Sequence, residues 1–434
     1  MTMADLKSEF LGISSPNPFW LASAPPTDKA YNVNRAFEAG WGGVVWKTLG
    51  EDPHIVNVSG PRYATLLSND RRVIGLNNIE LITDRPLQTN LDEIRQIKKD
   101  WPDRALVASV MLPMNEAAWA KYLPMIEDTG IDAFELNFGC PHGMSERGMG
   151  AAVGQVPEYI QMTTEWAKQA ASVPVIVKLT PNVANILPPA KAAQSGGADA
   201  VSLINTINSI MRVDYDSLTM YPTTDGMGTH GGYCGEAVKP IALNMVAEIA
   251  RTKETQSLPI SGIGGITNWR DAVDFLALGA SNVQVCTAAM VYGFKIIDDL
   301  ADGLSTFLDE KQLTLDQLVG KAIPSVTDWQ HLNLNYIEKA VIDQDLCIKC
   351  GRCHIVCEDA SHQAITHSVN GERRFEVINE ECVGCNLCVS VCPVDSCITM
   401  VQLTSGNDPR TGQPVSDQEL PWTAHPNNPL RETD

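Results

Sequence analysis

The chain has 434 residues and 44% hydrophobic content, room for one large domain and a smaller one with ample material for a core. A formal net charge of −20 argues against a nucleic-acid backbone or an anionic membrane as the main partner. No run of eighteen apolar residues occurs, so no membrane span is expected.

Residues 1–10 carry acids and a lysine but no apolar signal-peptide segment, which makes a cytoplasmic location the default expectation. In that compartment clustered cysteines read as metal ligands or catalysts rather than disulfides. From residue 17 to about 293, short β-rich runs alternate with longer amphipathic stretches. The β-like runs are 19–23, 43–47, 105–111, 133–138, 175–179, 200–204, 259–263 and 282–286. Helix-like segments such as 156–172 and 238–252 lie between them. The alternation implies a parallel sheet with crossover helices. Eight such units predict an α/β fold closed into a (β/α)8 TIM barrel, for which roughly 250 residues is typical. An open doubly wound sheet is the alternative. Ser23, Lys47, Asn137, Lys178, Asn205, Gly264 and Gly265 stand at the carboxyl ends of these runs, the face on which a barrel builds its active site. The expected division is a catalytic barrel over 1–325, a linker over 326–342, a cysteine module over 343–403 and a loosely ordered or docked tail over 404–434.

Within the barrel, ELNFGCPHGMSERGMG (135–150) begins as a strand and turns into a polar, glycine-rich loop. Cys140 follows the strand end and precedes a proline, so it is a candidate proton donor or nucleophile; a small buried hydrophobe is the competing reading. Asn137 brings an amide with donor and acceptor to the same rim. His142 is a lesser acid–base candidate. The stretches ISGIGGI (260–266) and VQVCTAA (283–289) end the last two strands, where barrels commonly hold a ligand phosphate on backbone N–H groups. Lys47 and Lys178 could steady an anionic cofactor ring or that phosphate, or only reach to the rim. Gly226, Gly228 and Gly231 match the dinucleotide fingerprint but follow a loop and open no helix; they are read as a flexible loop over the site.

Eight of the twelve cysteines lie between 347 and 392. They form two runs, Cys347, Cys350, Cys353, Cys357 and Cys382, Cys385, Cys388, Cys392, each with two, two and three intervening residues. A zinc site needs four ligands; two such runs suit two [4Fe–4S] clusters, each taking three thiolates from one run and the fourth from the other. Cys347, Cys350, Cys353 and Cys392 are expected to hold one cluster, and Cys382, Cys385, Cys388 and Cys357 the other. This predicts a small α+β two-cluster ferredoxin-like domain acting as an electron relay. Glu358 stands where a proline often follows the fourth cysteine, and Cys397 is an additional, buried or idle thiol.

The segments WLASAPPT, WKT, LNNIELI, ELNFGCPHGMSERGMG, VKLTPN, INTINS and HGGYCGEAVKPIAL, together with the doubled cysteine motif, resemble dihydropyrimidine dehydrogenase. The likeness is greatest to the bacterial subunits with FMN and two iron–sulfur clusters, and it spans about residues 7–401. It implies that Cys140 is the general acid, and that Asn78, Asn137, Phe138, Gly139, Asn205 and Thr206 bind the pyrimidine. It implies FMN contacts from Ala22, Ser23, Lys47, Thr48, Lys178, Gly235, Gly264, Gly265, Cys286 and Thr287. Uracil or thymine would interconvert with the 5,6-dihydro base, FMN N5 exchanging hydride with C6 and Cys140 a proton with C5. Electrons would come through the clusters from an NAD- and FAD-binding flavoprotein subunit in a hetero-oligomer. Gly139 replaces a serine of the long single-chain relatives, so only a backbone contact carries over there. A dihydroorotate dehydrogenase-like flavoenzyme and a ferredoxin-type carrier with a structural barrel are the rival readings.

Overall fold

The computed structural model describes residues 4–51, 55–141, 148–359 and 361–431. The chain divides into two compact units, Met1–Val326 and Thr327–Asp434.

The first unit is built on β1 (Phe19–Leu21), β2 (Gly43–Leu49), β3 (Ala105–Val110), β4 (Ala133–Asn137), β5 (Val175–Lys178), β6 (Ala200–Leu203), β7 (Ile260–Ile263) and β8 (Asn282–Val285). They close into one barrel in sequence order, every neighbouring pair parallel. All eight expected runs are strands, and the helices expected around 156–172 and 238–252 are Pro157–Ala170 and Lys239–Arg251. Both faces of these strands are covered, which is why they read as near-continuous apolar runs. Outward residues such as Val44, Leu106, Phe134 and Val201 join the helices in the main core, while the inward set Val45, Val107, Ala133, Ile176 and Ala200 forms a second cluster with Phe10 and Trp20. The hairpin Ser8–Phe10/Ile13–Ser15 brings Phe10 edge-on to Trp20, ring centroids 5.7 Å apart.

Strand residues alternate faces with period two. Two positions beyond the apolar inward set lie Lys47, Ser109, Glu135, Lys178 and Ser202, all buried and polar. On these five strands the barrel interior therefore changes from an apolar plug to a polar floor within one inward step. In β2 the pairing with β3 shifts between Trp46 and Leu49, a bulge that lets consecutive residues Lys47 and Thr48 both face the cavity above.

A four-stranded antiparallel sheet, ordered Ile207–Ser209, Gly231–Cys234, Val73–Asn78, Tyr63–Leu67, contributes residues to the barrel cavity. This corrects the flexible-loop reading of the GxGxxG segment: Gly231 opens a strand whose backbone pairs on both sides, and Thr224 bridges Met227 just before it.

In the second unit, strands Glu338–Ile342 and Ile398–Gln402 pair antiparallel, with helices Arg352–Glu358 and Leu387–Val391 between them in sequence. Residues 338–342 were expected as linker. They form a strand in which the consecutive residues Lys339 and Ala340 are buried on opposite faces, Ala340 in one core with Ile398 and Lys339 against Asp408. The tail is docked: Leu334 N donates to Leu420 O at 2.9 Å, Trp329 and Trp422 lie 6.3 Å apart, and buried Lys339 pairs with buried Asp408 at 2.9 Å. Among the described residues no helix is long and apolar enough to cross a membrane.

Candidate active site and cluster cavities

The barrel cavity opens at the carboxyl ends of the strands. Ala22, Ser23, Lys47, Thr48, Asn78, Asn137, Cys140, Lys178, Asn205, Thr206, Gly235, Gly264, Gly265, Cys286 and Thr287 all line it. Phe138 and Gly139 do not. The Phe138 ring packs in the core against Trp119, centroids 6.4 Å apart. Gly139 lies under Asn205, whose side chain occupies the space a Cβ would need.

One wall is a row of side chains drawn from β2, β3, the end of β4 and the segment after β6. Ser109 and Thr48 hydroxyls lie 2.9 Å apart, Asn137 Nδ2 donates to Thr48 Oγ1 at 3.0 Å, and Asn205 Nδ2 donates to Asn137 Oδ1 at 2.9 Å. Gly139 N also donates to Asn137 Oδ1 at 3.2 Å. Asn78 reaches the cavity from the covering sheet, its Nδ2 donating to Gly232 O at 3.1 Å. These linked amides have fixed donor and acceptor directions, which suits a flat ligand with alternating amide groups.

Cys140 is half-buried and packs against the apolar trio Ile82, Met111 and Met149. Its carbonyl accepts from Ala151 N at 3.0 Å, so the residues flanking the loop are tied together. His142 lies outside the described residues. Cys234 and Cys286 also face the cavity. Each residue keeps some exposed surface, but the thiols themselves are desolvated: burial pushes Cys234 up to about 11, against the Thr287 hydroxyl that donates to it, and Cys286 up to about 12.

Both cavity lysines are paired. Lys178 Nζ lies 3.2 Å from Glu135 Oε1; Lys47 Nζ lies 2.8 Å from Glu80 and 3.7 Å from Asp28. Burial raises the Asp28 carboxyl despite Lys47 beside it. Glu80 also accepts from Arg62 Nη1 at 3.0 Å and from the Tyr63 hydroxyl, and burial followed by Glu80 raises that phenol. The sequence reading missed Glu80, Tyr63, Glu135 and Gln284. Glu135 and Gln284 each sit between two apolar neighbours within a buried strand, and that oddity was the available signal.

The residues fit a flavin mononucleotide. Gly235, Gly264 and Gly265 have φ of +102°, +128° and +80°, and a Cβ on Gly265 would stand 3.0 Å from the carbonyls of Gly235 and Glu236. Lys239 Cβ would stand closer still, at 2.8 Å, so this turn has room only for glycine and keeps its backbone at the cavity wall. The same cavity holds two lysines, and among the described residues Gln284 Oε1 is buried without a hydrogen-bond partner.

In the second unit, Cys347, Cys350, Cys353 and Cys392 line one small cavity and Cys357, Cys382, Cys385 and Cys388 another. Cys397 borders the first cavity and is buried. The crossed grouping expected from spacing is therefore the one the fold brings together.

Residues 5–308 match the dihydroorotate dehydrogenase family and 340–400 the 4Fe-4S dicluster domain. The NAD-dependent dihydropyrimidine dehydrogenase subunit PreA of Escherichia coli K12 is 40% identical over 401 residues, 92% of this chain and 96% of that protein. The chain belongs to the dihydropyrimidine dehydrogenase family. A second dihydropyrimidine dehydrogenase, the NADP(+) chloroplastic protein of Arabidopsis thaliana, is 40% identical over 80% of this chain and 83% of its own length. The catalytic subunit of dihydroorotate dehydrogenase B (NAD(+)) from Thermococcus kodakarensis is 35% identical and covers 74% of this chain and all of itself. The ligand-free DHODH structure from Eimeria tenella shares the fold, with TM-score 0.60 at 19% identity over 73% of this chain and 92% of that one. Like the dihydropyrimidine dehydrogenases it matches, the chain is an oxidoreductase joining a dihydroorotate dehydrogenase-type barrel to an iron–sulfur unit.

Proposed function

We propose that the chain interconverts uracil or thymine with the 5,6-dihydro base in the barrel cavity, with FMN as the resident cofactor. The observation that carries this is the convergence of Cys140 with the Asn78, Asn137, Asn205 and Thr206 row, two lysines and the glycine cradle on one cavity. FMN bound there supplies the hydride chemistry at C6 of the pyrimidine. The amide row holds the base by its alternating N–H and C=O groups. Cys140 gives the proton to C5 on reduction, and its thiolate takes it back in the reverse direction, as a positioned general acid and base. Ile82, Met111 and Met149 beside the thiol limit water access to it. Lys47 and Lys178, each countered by a carboxylate, face the cofactor side and steady negative charge there.

The crossed cysteine sets would ligate two [4Fe–4S] clusters that carry electrons from a separate NAD- and FAD-binding subunit. The relative named PreA is itself called a subunit, which supports a hetero-oligomer. A cytoplasmic compartment, with no membrane and no nucleic acid as partner, fits this assignment.

Cys140→Ala is expected to retain bound flavin while turnover falls by on the order of 10²–10⁴-fold, the usual worth of a general acid. Unchanged turnover removes the role. A dihydroorotate substrate is disfavoured by charge: among the described residues lining the cavity, the cations are Lys47 and Lys178, and both already face carboxylates. Anaerobic titration of the purified chain with dihydrouracil, dihydrothymine and dihydroorotate, following flavin absorbance, decides between them. Bleaching by dihydroorotate alone overturns the proposal, and absence of any flavin favours a ferredoxin-type carrier.

A further inference from the structure

The cavity floor contains a polar group that none of the assigned roles uses. Gln284, on β8, is 1% exposed and borders the cavity. Its Nε2 donates to Glu135 Oε2 at 3.0 Å and to Ser261 Oγ at 3.0 Å. Glu135 is fully buried, and it also accepts from Lys178 Nζ at 3.2 Å and Ser202 Oγ at 2.8 Å. This carboxylate dictates the orientation of the glutamine: turning the amide over would set its carbonyl against Glu135. The carbonyl oxygen is therefore left as the unpartnered end, and Oε1 has no hydrogen-bond partner among the described residues. A buried carbonyl acceptor held this way calls for an N–H or O–H donor from whatever fills the cavity.

We propose that Gln284 is a cofactor-binding residue whose carbonyl accepts the N3–H of the flavin pyrimidine ring, with Glu135 as the positioning residue that fixes it. This rests on the FMN assignment. The oxidised isoalloxazine carries one N–H, at N3, flanked by two carbonyls. The floor offers the matching set: the Gln284 acceptor and the Lys178 donor, both held by the same Glu135 carboxylate. The substrate row does not compete for this position, since Asn137 lies one inward step beyond Glu135 on β4 and Asn78 and Asn205 lie outside the barrel strands.

The test uses the full chain with its clusters intact, stripped of flavin and titrated with FMN and with N3-methyl-FMN by fluorescence quenching. Wild type is expected to bind FMN about tenfold or more tightly than the methylated analogue, the worth of one buried hydrogen bond. In Gln284→Met, close in size and without the acceptor, that preference is expected to fall to about twofold or less. Equal binding of both flavins by wild type overturns the inference, and needs no variant to fold. A preference that survives Gln284→Met overturns it as well. Failure of wild type to bind FMN at all is a different result, and overturns the FMN assignment itself.

Discussion

Three thiols share the barrel cavity, and their surroundings separate their chemistry. Cys234 and Cys286 are pushed up to about 11 and 12 by burial, so near neutrality they carry almost no thiolate. Cys140 lies in a loop at the rim, half-buried. Brief treatment of the cluster-loaded chain with iodoacetamide at pH 8 is expected to alkylate Cys140 well before the other two. Peptide mapping that finds Cys286 modified first contradicts this ordering. Gly139 permits a second test. Because Asn205 occupies the place of its missing Cβ, Gly139→Ser must displace the Asn205 amide. The expected outcome is a rise in KM for the pyrimidine by about tenfold, for one weakened hydrogen bond, with flavin content unchanged. Single residues were the least legible scale in the sequence. Cys140 and Asn137 were visible because they flank a strand end. Glu135 and Gln284 were not, since a polar residue between apolar neighbours in a buried strand gains meaning only when neighbouring strands place Lys178, Ser202 and Ser261 beside it.

At the level of elements, the barrel strands were readable because burial on both faces imposes long β-branched runs. The covering sheet was not. Tyr63–Leu67 is exposed over most of its length and shows no buried apolar alternation, and Gly231–Cys234 begins with two glycines, which strands rarely use. The strand Glu338–Ile342 was hidden by two charged residues, one of which, Lys339, is buried only because Asp408 and the Cys382 carbonyl receive it. That ion pair fastens the tail to the cluster unit. Asp408→Ala leaves a buried ammonium without its counter-ion and is expected to cost about 3–5 kcal/mol of the unit's stability, read by chemical denaturation. The pH dependence has a definite sign. Burial acts to raise the Asp408 carboxyl, but Lys339 overrides it and holds the carboxyl below its ordinary value. Its contribution is therefore present above the unfolded pKa of about 3.9 and is lost as pH falls through the lower folded value. Acid titration of the wild type against Asp408→Asn is expected to show the gap closing only in that acid range.

For the whole molecule, two units with separate cores carry two kinds of chemistry. The grouping of cysteines yields a prediction that sequence order alone would reverse. Cys392 belongs to the second run but lines the cavity of the first three cysteines. Cys392→Ala is expected to weaken the cluster bound by Cys347, Cys350 and Cys353, leaving the one at Cys382, Cys385 and Cys388 with its full ligand set. The check is iron content together with EPR of the reduced chain. Cys350 and Cys385, one in each cavity, are exposed, so clusters held as proposed would each have a ligand within reach of an oxidant. The helix Arg352–Glu358 carries Cys353 of one set and Cys357 of the other, so loss of either cluster would free a thiolate on the helix that holds a ligand of its neighbour. Corrosion of one site would thus unpin the frame of its neighbour, and the pair would age as a single part, to be rebuilt together rather than repaired by halves.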